Sequence, residues 1–471
     1  MTRKTSAATP INRNVVMAVL LSGAFVIILN QTLLNTALPV FMEDFGITAN
    51  AAQWVTTIFM LVNGIMIPVT AFLIEKFSTR ALFLAAMIVF TVGTVVCAVA
   101  PTFPVLLVGR VIQAASGGMI MPLLQTILFA IFPIAKRGTA MGTMGLVISF
   151  APAIGPSLSG WIVDHYPWQI LFVMMLPIAV VATVVAFLVL RNVTENIDPR
   201  LDVLSLTLST LGFGGLLFGF STAGTAGWSS AQVLVPLLVG AFSLAWFARR
   251  QLGLAEPMLD LRILTNRMFT LSTVLGMCVF IGMIGGMIVL PLYMQNMANF
   301  SAMDSGLALL PGAIVMGLMS PVTGRVFDRF GPKWLSIVGF ILVTVTTFLF
   351  ARLSVDTSFT YIAVVNAVRM LGVAMVMMPV TTAALNQLPT QLIPHGAALN
   401  NTLRQVAASI GGAVLVTVMT ATARDPEVYG VAGLIHGANV TFVVAGVLSA
   451  AAVVGAFFLK NSRYNEQLDS H

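Results

Sequence analysis

The sequence predicts an all-α polytopic membrane protein with fourteen transmembrane helices, arranged as two pseudo-symmetric six-helix bundles plus two inserted helices. The first observation behind this prediction is composition, since 58% of the 471 residues are hydrophobic and only 8% are charged. Soluble domains carry about 25% charged residues, so this chain has too few to coat a water-soluble globule. The second observation is a series of long apolar runs separated by short polar segments. Lipid is therefore expected to cover most of the surface.

The apolar runs have the length expected of membrane-spanning helices. A bilayer core of about 30 Å takes roughly 20 residues of helix, and only helices or closed barrels satisfy every backbone polar group in lipid. The runs lack the period-two alternation of a barrel strand. The predicted helices cover 14–37, 54–75, 82–100, 104–128, 139–161, 170–190, 203–221, 231–249, 269–293, 305–325, 334–352, 360–384, 396–422 and 437–459.

The distribution of positive charge tests the count and predicts the orientation. If both termini are cytoplasmic, 18 of the 23 Lys and Arg residues lie in inside segments and two, Arg352 and Arg424, lie outside. The other three, Arg110, Arg369 and Arg404, fall within helices. A missing helix would scramble this partition, so the positive-inside rule supports fourteen spans. The basic residues are not gathered on one face, which disfavours nucleic-acid binding as the reason for the net charge of +7.

Other functional classes find little support in the sequence. The two cysteines, Cys97 and Cys278, lie in apolar runs and have no disulfide or metal spacing. The first apolar run is longer than the core of a signal peptide, which predicts a first membrane helix. Neither a nucleotide-binding loop nor a nucleophile–base set is present, so we expect no enzyme activity, no cofactor and no metal.

An internal repeat divides the chain. The turn after the second helix reads AFLIEKFSTR (71–80), and the turn after the tenth reads GRVFDRFGPK (324–333). Two helices later, GRVIQAASGG (109–118) and NAVRMLGVAM (366–375) each carry one buried arginine. Such paired bundles are typical of transporters that rock around a central site. The predicted domains are an N-terminal six-helix bundle at 1–195, two inserted helices with their linkers at 196–267, and a C-terminal six-helix bundle at 268–471.

Several further segments occur in order at helix ends. They are ILNQTLLNTALP (28–39), GLVISFAPAIGPSLSG (145–160), EPMLDLRILTNRMF (256–269) and NNTLRQVAASIGG (400–412). Together with the two charged turns and the helix-four arginine, they resemble the fourteen-helix drug:proton antiporter branch of the major facilitator superfamily. Within that branch the chain is most similar to the multidrug and lincomycin-type exporters of Gram-positive bacteria. It departs from the pattern at Asn30, where the family usually has an acid, and at Ala71, which replaces a leading glycine.

Polar residues within the helices are candidates for a substrate cavity. A charge in mid-bilayer is costly, so a buried arginine is expected to face a cavity or a partner. For Arg404, snorkelling toward the inner face is an open alternative. For the amides, the alternative is plain interhelical hydrogen bonding, which contributes about 0.6 kcal/mol on average. The candidate set is Asn30, Gln31, Asn35, Arg110, Gln113, Gln125, Asn366, Arg369, Asn400 and Arg404.

Two groups of residues are candidates for gating. Glycines allow close helix approach and prolines kink a helix. The fifth helix is therefore predicted to contain a hinge, with the candidates Gly145, Pro152, Gly155, Pro156 and Gly160. The alternative is that glycine and proline are simply common in membrane helices. The charged turns predict a latch, made by salt bridges within a turn (Glu75 with Arg80, Asp328 with Arg329) or by capping of facing helix ends; an ordinary topology signal is the alternative. The latch candidates are Glu75, Lys76, Arg80, Asp328 and Arg329.

Acidic residues lie outside the centres of the predicted helices, which shapes the expected substrate. Neutral, zwitterionic or amphiphilic compounds are favoured over dications, and a proton carrier must lie near a membrane face. The candidates are Asp164, His165 and Asp202, each of which is alternatively a helix-end residue without that role. The resemblance implies a monomeric secondary exporter that exchanges amphiphilic drugs for protons in a bacterial plasma membrane. Export of an endogenous lipid or lipid-linked metabolite, or import of a nutrient, remains open.

Overall fold

The computed structural model describes residues 12–34, 36–193, 199 and 201–460. Within these residues the regular secondary structure is helical, and fourteen helices are long and apolar enough to cross a membrane. The predicted fold class is confirmed. Asn35 of the candidate cavity lies outside the described residues.

The fourteen spanning helices are numbered α1 to α14 in chain order. The first seven are α1 (Arg13–Leu33), α2 (Trp54–Lys76), α3 (Thr79–Ala98), α4 (Phe103–Ile131), α5 (Arg137–His165), α6 (Met175–Val189, continuing a short helix Ile170–Val173) and α7 (Val203–Ala226). The last seven are α8 (Ala231–Gly253), α9 (Arg267–Asn296), α10 (Ala302–Phe330), α11 (Pro332–Phe350), α12 (Phe359–Leu385), α13 (Ile393–Thr422) and α14 (Val431–Phe457).

The first helix is shorter than predicted. It ends at Leu33 rather than at residue 37, and a separate short helix follows at Leu38–Phe45. Pro39 lies in the first turn of this short helix, where its fixed φ is suitable and the missing amide hydrogen costs no hydrogen bond. Trp168, which precedes α6, donates its indole N–H to the Asp44 carboxylate over 2.6 Å and so fixes the short helix in place.

An even number of spans puts Arg13 and Lys460 on one side of the molecule. We call this side the terminal face, and the other the opposite face. The connections that follow the even-numbered helices lie at the terminal face. Of the described basic residues outside the helix interiors, Arg352 and Arg424 lie at the opposite face and the others at the terminal face.

The helices pack as two groups with a pair between them. Helices α1 to α6 contact one another extensively, as do α9 to α14, and the groups meet where α5 packs on α10 and where α2 packs on α13. Helix α7 lies against both α2 and α13. Leu217 covers Gly64 of α2, and Trp228, just after the end of α7, donates to the Thr417 hydroxyl of α13 over 2.7 Å. The pairing of α5 with α10 is very close, since a Cβ on Gly324 would collide with the backbone of Gly138. The domain boundaries near 195 and 268 stay predictions.

Candidate functional site

The first buried arginine lies inside the first bundle. Arg110 of α4 is fully buried and donates to the Asn30 side-chain oxygen at 2.7 Å, the Gln113 oxygen at 2.8 Å and the Val55 carbonyl at 3.1 Å. Its guanidinium also lies 4.2 Å from the centre of the Phe59 ring, a cation–π distance. Three of the predicted cavity residues therefore form one cluster whose contacts all lie within a single bundle.

The second buried arginine occupies the corresponding place in the second bundle. Arg369 of α12 has 1% of its surface exposed and donates to the Gly282 carbonyl of α9. A Cβ at Gly286 would overlap its guanidinium, so Arg369 packs directly against the backbone of α9 at this glycine. The Nε and Nη1 atoms of Arg369 have no hydrogen-bond partner among the described residues.

The third buried arginine lies where the two bundles meet. Arg404 of α13 donates to the Asn401 side-chain oxygen at 2.7 Å and to the Thr381 hydroxyl at 3.2 Å. The amide nitrogen of Asn401 in turn donates to the Gln125 oxygen of α4 over 2.8 Å. Arg404 is only 6% exposed, so it does not snorkel to the terminal face: its guanidinium is held inside by these side chains.

The other predicted cavity amides have separate environments. Asn400 donates to the Thr273 hydroxyl at 3.2 Å, and Asn366 packs closely against Gly312 of α10. Gln31 is partly exposed on α1. The structure therefore brings Asn30, Arg110 and Gln113 together, joins Gln125 to Arg404 through Asn401, and leaves Asn366 and Arg369 apart from both.

Asp328, a predicted latch residue, joins α10 to α5 at the terminal face, and we call this contact the first latch. The Asp328 carboxylate accepts hydrogen bonds from the backbone N–H groups of Gly138 and Thr139, at 2.7 and 2.8 Å, and from the Thr139 hydroxyl at 2.6 Å. This is the capping of a facing helix end, where the partial positive charge of a helix N-terminus favours a carboxylate. The alternative pairing of Asp328 with Arg329 is wrong, since Arg329 lies over the Phe330 ring instead.

A second latch joins α2 to α13. Glu75 contacts the His395 ring at 2.7 Å, from Oε1 to Nε2. The predicted pairing of Glu75 with Arg80 is wrong: Arg80 donates to the Phe187 carbonyl at 2.7 Å and lies over that ring, which ties α3 to α6. Sequence reasoning missed His395, because its role depends on contact with a residue 320 positions away in the chain.

The two latches occupy equivalent positions of the repeat. Both α5 and α13 follow a proline and a short 3₁₀ turn, at Ile134–Lys136 and Thr390–Leu392. Thr139 and His395 are each the third residue of the helix that follows. Each contacts the carboxylate at the end of the second helix of the other bundle, so the internal symmetry extends to the contacts between bundles.

Hydrogen bonds fix the tautomer of His395. The backbone N–H of Asp260, in the linker before α9, donates to Nδ1 over 3.2 Å, so Nδ1 must carry a lone pair. The ring proton then lies on Nε2 and is donated to Glu75. This latch therefore joins three segments: the end of α2, the linker and the start of α13.

The hinge candidates of α5 divide into two kinds. Gly145 faces the Ser320 side chain of α10, and Gly155 faces Thr32 of α1, so both allow a close approach between helices. Gly160 has open space around the position of a Cβ, so close packing does not require glycine there. Pro152 and Pro156 both lie inside the helix.

The described contacts between the bundles cluster in the terminal-face half. Besides the two latches and the Gln125–Asn401 bond, Arg137 donates to the Asn386 oxygen of α12 over 3.0 Å. Toward the opposite face, by contrast, the positions of a Cβ on Gly160 and Gly306 meet nothing within 4 Å. In this structure the bundles are therefore joined at the terminal face.

Sequence similarity to known proteins identifies the family of this chain. The sequence profile described as Major Facilitator Superfamily matches residues 20–412. The chain belongs to the Major Facilitator Superfamily. It is 54% identical to the uncharacterized MFS-type transporter YcnB of Bacillus subtilis, covering 96% of each chain. It is 43% identical to the lincomycin resistance protein LmrB of the same organism, covering 94% of this chain and 95% of LmrB.

Solved structures show the same fold. The human organic anion transporter MFSD10 superposes with a TM-score of 0.68 at 14% sequence identity, covering 94% of this chain and all of that one. Membership of the superfamily makes this chain a multi-pass membrane transporter, not an enzyme, and transporters of this family carry small substrates.

The proton-coupling candidates of this major facilitator chain have different surroundings. Asp164 is exposed at the end of α5, and His165 beside it stacks on Trp161, with ring centres 5.4 Å apart. Asp202 instead accepts hydrogen bonds from Arg250 at 2.7 and 3.1 Å. The Arg250 guanidinium lowers the pKa of Asp202 to about 2, so this carboxylate stays ionised at physiological pH and is disfavoured as a carrier.

The interior of the spans is positively charged. Among the described residues, the acids within the spanning helices are Glu75, Asp164, Asp304 and Asp328, and each lies within two residues of a span end. The three buried arginines are thus paired with amides, hydroxyls and carbonyls rather than with carboxylates. Asn30 at the Arg110 cluster is the clearest case, because an amide oxygen occupies the place of the usual acid.

Proposed function

We propose that this transporter is a secondary active exporter that moves amphiphilic compounds, including drugs, out of a bacterial cell in exchange for protons. It acts as a monomer in the plasma membrane, with both termini in the cytoplasm, by alternating access between the two bundles. The observation that supports this most is the clustering of the contacts between bundles at the terminal face, near buried arginines that contact no carboxylate among the described residues.

The orientation rests on charge. Basic residues outside the helix interiors concentrate at the terminal face, and cytoplasmic loops of membrane proteins carry such an excess. The terminal face is therefore the cytoplasmic one. With that face joined by the two latches, the conformation is closed to the cytoplasm.

Alternating access rests on the nature of these contacts. The Asp328, Glu75, Asn386 and Asn401 contacts are a few hydrogen bonds between the bundles, which a rocking motion can break and re-form. Membrane transporters built from two repeats commonly move in this way around a midplane site.

Drug export is supported by similarity to proteins that are named for drug resistance. LmrB of Bacillus subtilis is called a lincomycin resistance protein, and a 30% identical protein of Mycobacterium tuberculosis is called a multidrug resistance protein B homolog. The polar interior has buried arginines and, within the residues that the structure describes, no central carboxylate, which favours neutral or zwitterionic compounds over dications. Proton exchange is carried over from the family, with Asp164 and His165 as the remaining candidate carriers.

The test is export of lincomycin from proteoliposomes that hold the purified protein and an imposed pH gradient. Liposomes containing the Asp328→Asn variant serve as the matched control. Gradient-driven export that collapses when a protonophore is added is the expected result. Transport that ignores the pH gradient for neutral, zwitterionic and cationic compounds alike would overturn proton antiport and turn attention to lipid export.

A further inference from the structure

We propose that Arg404, with Asn401 and Gln125, forms a subsite for an anionic oxygen group of the substrate, such as a carboxylate or a phosphate. This inference deepens the proposed function and rests on it, because it assumes that the path between the bundles is the transport path. It adds a chemical class: amphiphiles that carry an anionic group next to an apolar body.

Arg404 differs from the other two buried arginines in its position between the bundles. Arg110 has all of its contacts in the first bundle and Arg369 in the second, so rocking leaves both surroundings unchanged. Arg404 is linked through Asn401 to Gln125 of the other bundle. Opening the terminal face must break the Asn401–Gln125 bond. This exposes the guanidinium of Arg404, which lies on the Asn401 side of that bond, to the cavity.

The cluster contains unused hydrogen-bonding capacity. Nε of Arg404 and the amide nitrogen of Gln125 are both buried N–H donors without a partner among the described residues. Leaving such a donor unsatisfied in a buried place is unfavourable, because it has lost its hydrogen bonds to water without gaining others. Both donors belong to the groups that separate when the bundles part, so a ligand arriving between them meets N–H groups that the protein itself does not satisfy.

The charge of the cluster selects the ligand. No carboxylate is in contact with Arg404 in the described part of the chain; its partners are an amide oxygen, a hydroxyl and, at 5.5 Å, the ring of Phe280. A guanidinium presents a planar fork of N–H donors that matches the two oxygens of a carboxylate or phosphate. In the closed state the Asn401 oxygen accepts a hydrogen bond from one N–H group of that fork. In the open state the anionic oxygen of the substrate replaces it as the acceptor.

The experiment measures binding of a probe rather than its transport. A negative result in this binding experiment can therefore be distinguished from a negative result in the export assay of the proposed function. The full-length protein in nanodiscs of phosphatidylcholine is titrated with dansylglycine, which is anionic, and with dansylglycinamide, its neutral amide. Dansyl fluorescence rises when the probe enters an apolar site. We expect Arg404→Gln to weaken binding of dansylglycine at least tenfold and that of dansylglycinamide less than twofold. Arg404→Lys keeps the charge but loses the planar fork of N–H donors. Its affinity for dansylglycine is expected to lie between those of the unsubstituted protein and of Arg404→Gln.

Controls separate charge recognition from folding. Arg249→Gln removes one exposed positive charge at the terminal face and is expected to bind both probes as the unsubstituted protein does. The Arg404→Gln variant must show the same monomer peak in size-exclusion chromatography, and its retained binding of dansylglycinamide is the internal check of its fold. Equal weakening of both probes, or no weakening of dansylglycine, overturns the proposal.

The source of the anionic group is settled by changing the lipid. Nanodiscs that contain phosphatidylglycerol offer an anionic headgroup in competition with the probe. Competition that is lost in Arg404→Gln assigns the subsite to a lipid phosphate, whereas dansylglycine binding that is indifferent to phosphatidylglycerol assigns it to the substrate's own carboxylate. Both results support an anion subsite.

Discussion

Asp328 at the end of α10 accepts both the backbone N–H and the hydroxyl of Thr139 at the start of α5. Its counterpart is Glu75 at the end of α2, which accepts a hydrogen bond from His395 at the start of α13. The two contacts are related by the internal repeat, yet one partner is a hydroxyl and the other an imidazole. Equivalent positions of the repeat therefore join the two bundles with different chemistry.

Removing the charge of Asp328 is expected to loosen the start of α5. Hydrogen bonds to a charged group contribute about 1.5–3 kcal/mol, and 1.4 kcal/mol corresponds to about a tenfold change in an equilibrium. In Asp328→Asn we expect hydrogen–deuterium exchange at the amides of Gly138 and Thr139 to rise at least tenfold, and lincomycin efflux to fall. Asp304→Asn, at the other end of the same helix, is the matched control. Unchanged exchange at Gly138 would contradict the latch.

The Glu75–His395 contact is expected to appear as a coupling between the two residues. His395→Phe leaves the Glu75 carboxylate without its donor, which costs about 1–3 kcal/mol, and Glu75→Leu removes the acceptor. The double variant is expected to be less destabilised than the sum of the single ones, because neither group is then left unpaired. Thermal unfolding of the three variants in one detergent measures this. Strict additivity would show that the two residues do not interact.

Two alanine substitutions on α5 are expected to differ sharply. In Gly142→Ala the new methyl group would collide with the Ser320 carbonyl of α10, so the terminal face cannot close and efflux is lost. In Gly160→Ala the methyl group meets open space, and the helix gains up to about 1 kcal/mol from the better propensity of alanine. Efflux assays and melting temperatures of both variants check this. Equal loss of efflux in both would point to a general sensitivity of the helix rather than to close packing.

The Asp202–Arg250 ion pair is expected to make stability depend on pH only in acid. Because Arg250 lowers the pKa of Asp202 to about 2, against an ordinary value of 3.8, the stabilisation is complete above about pH 4 and is lost as the pH falls toward 2. Melting temperatures of the unsubstituted protein and of Asp202→Asn should therefore converge between pH 4 and pH 2. A difference that varies between pH 6 and pH 8 would mean that Asp202 titrates there, as a proton carrier would.

The number of helices and the internal repeat could be predicted from the sequence alone. Apolar runs of about 20 residues form helices because lipid offers the backbone no hydrogen-bond partner. The Lys and Arg residues of the loops concentrate on one side of the membrane when fourteen spans are assumed, which supports the same count. The sequence also located the three buried arginines, since few other charges interrupt the apolar runs. Its error at the end of α1 was local: Leu34 and Ala37 are apolar, and hydrophobicity does not show where a helix breaks and restarts.

Which side chains contact one another became clear only from the packing of the helices. Glu75 pairs with His395 rather than with Arg80, and Asp328 with Thr139 rather than with Arg329, because helix packing brings distant segments closer than neighbours in the same turn. Asn401 connects Gln125 to Arg404 across the bundles for the same reason. Periodicity and composition describe how each helix faces lipid or protein. They do not encode which helix lies opposite, since that depends on close packing between surfaces far apart in the chain.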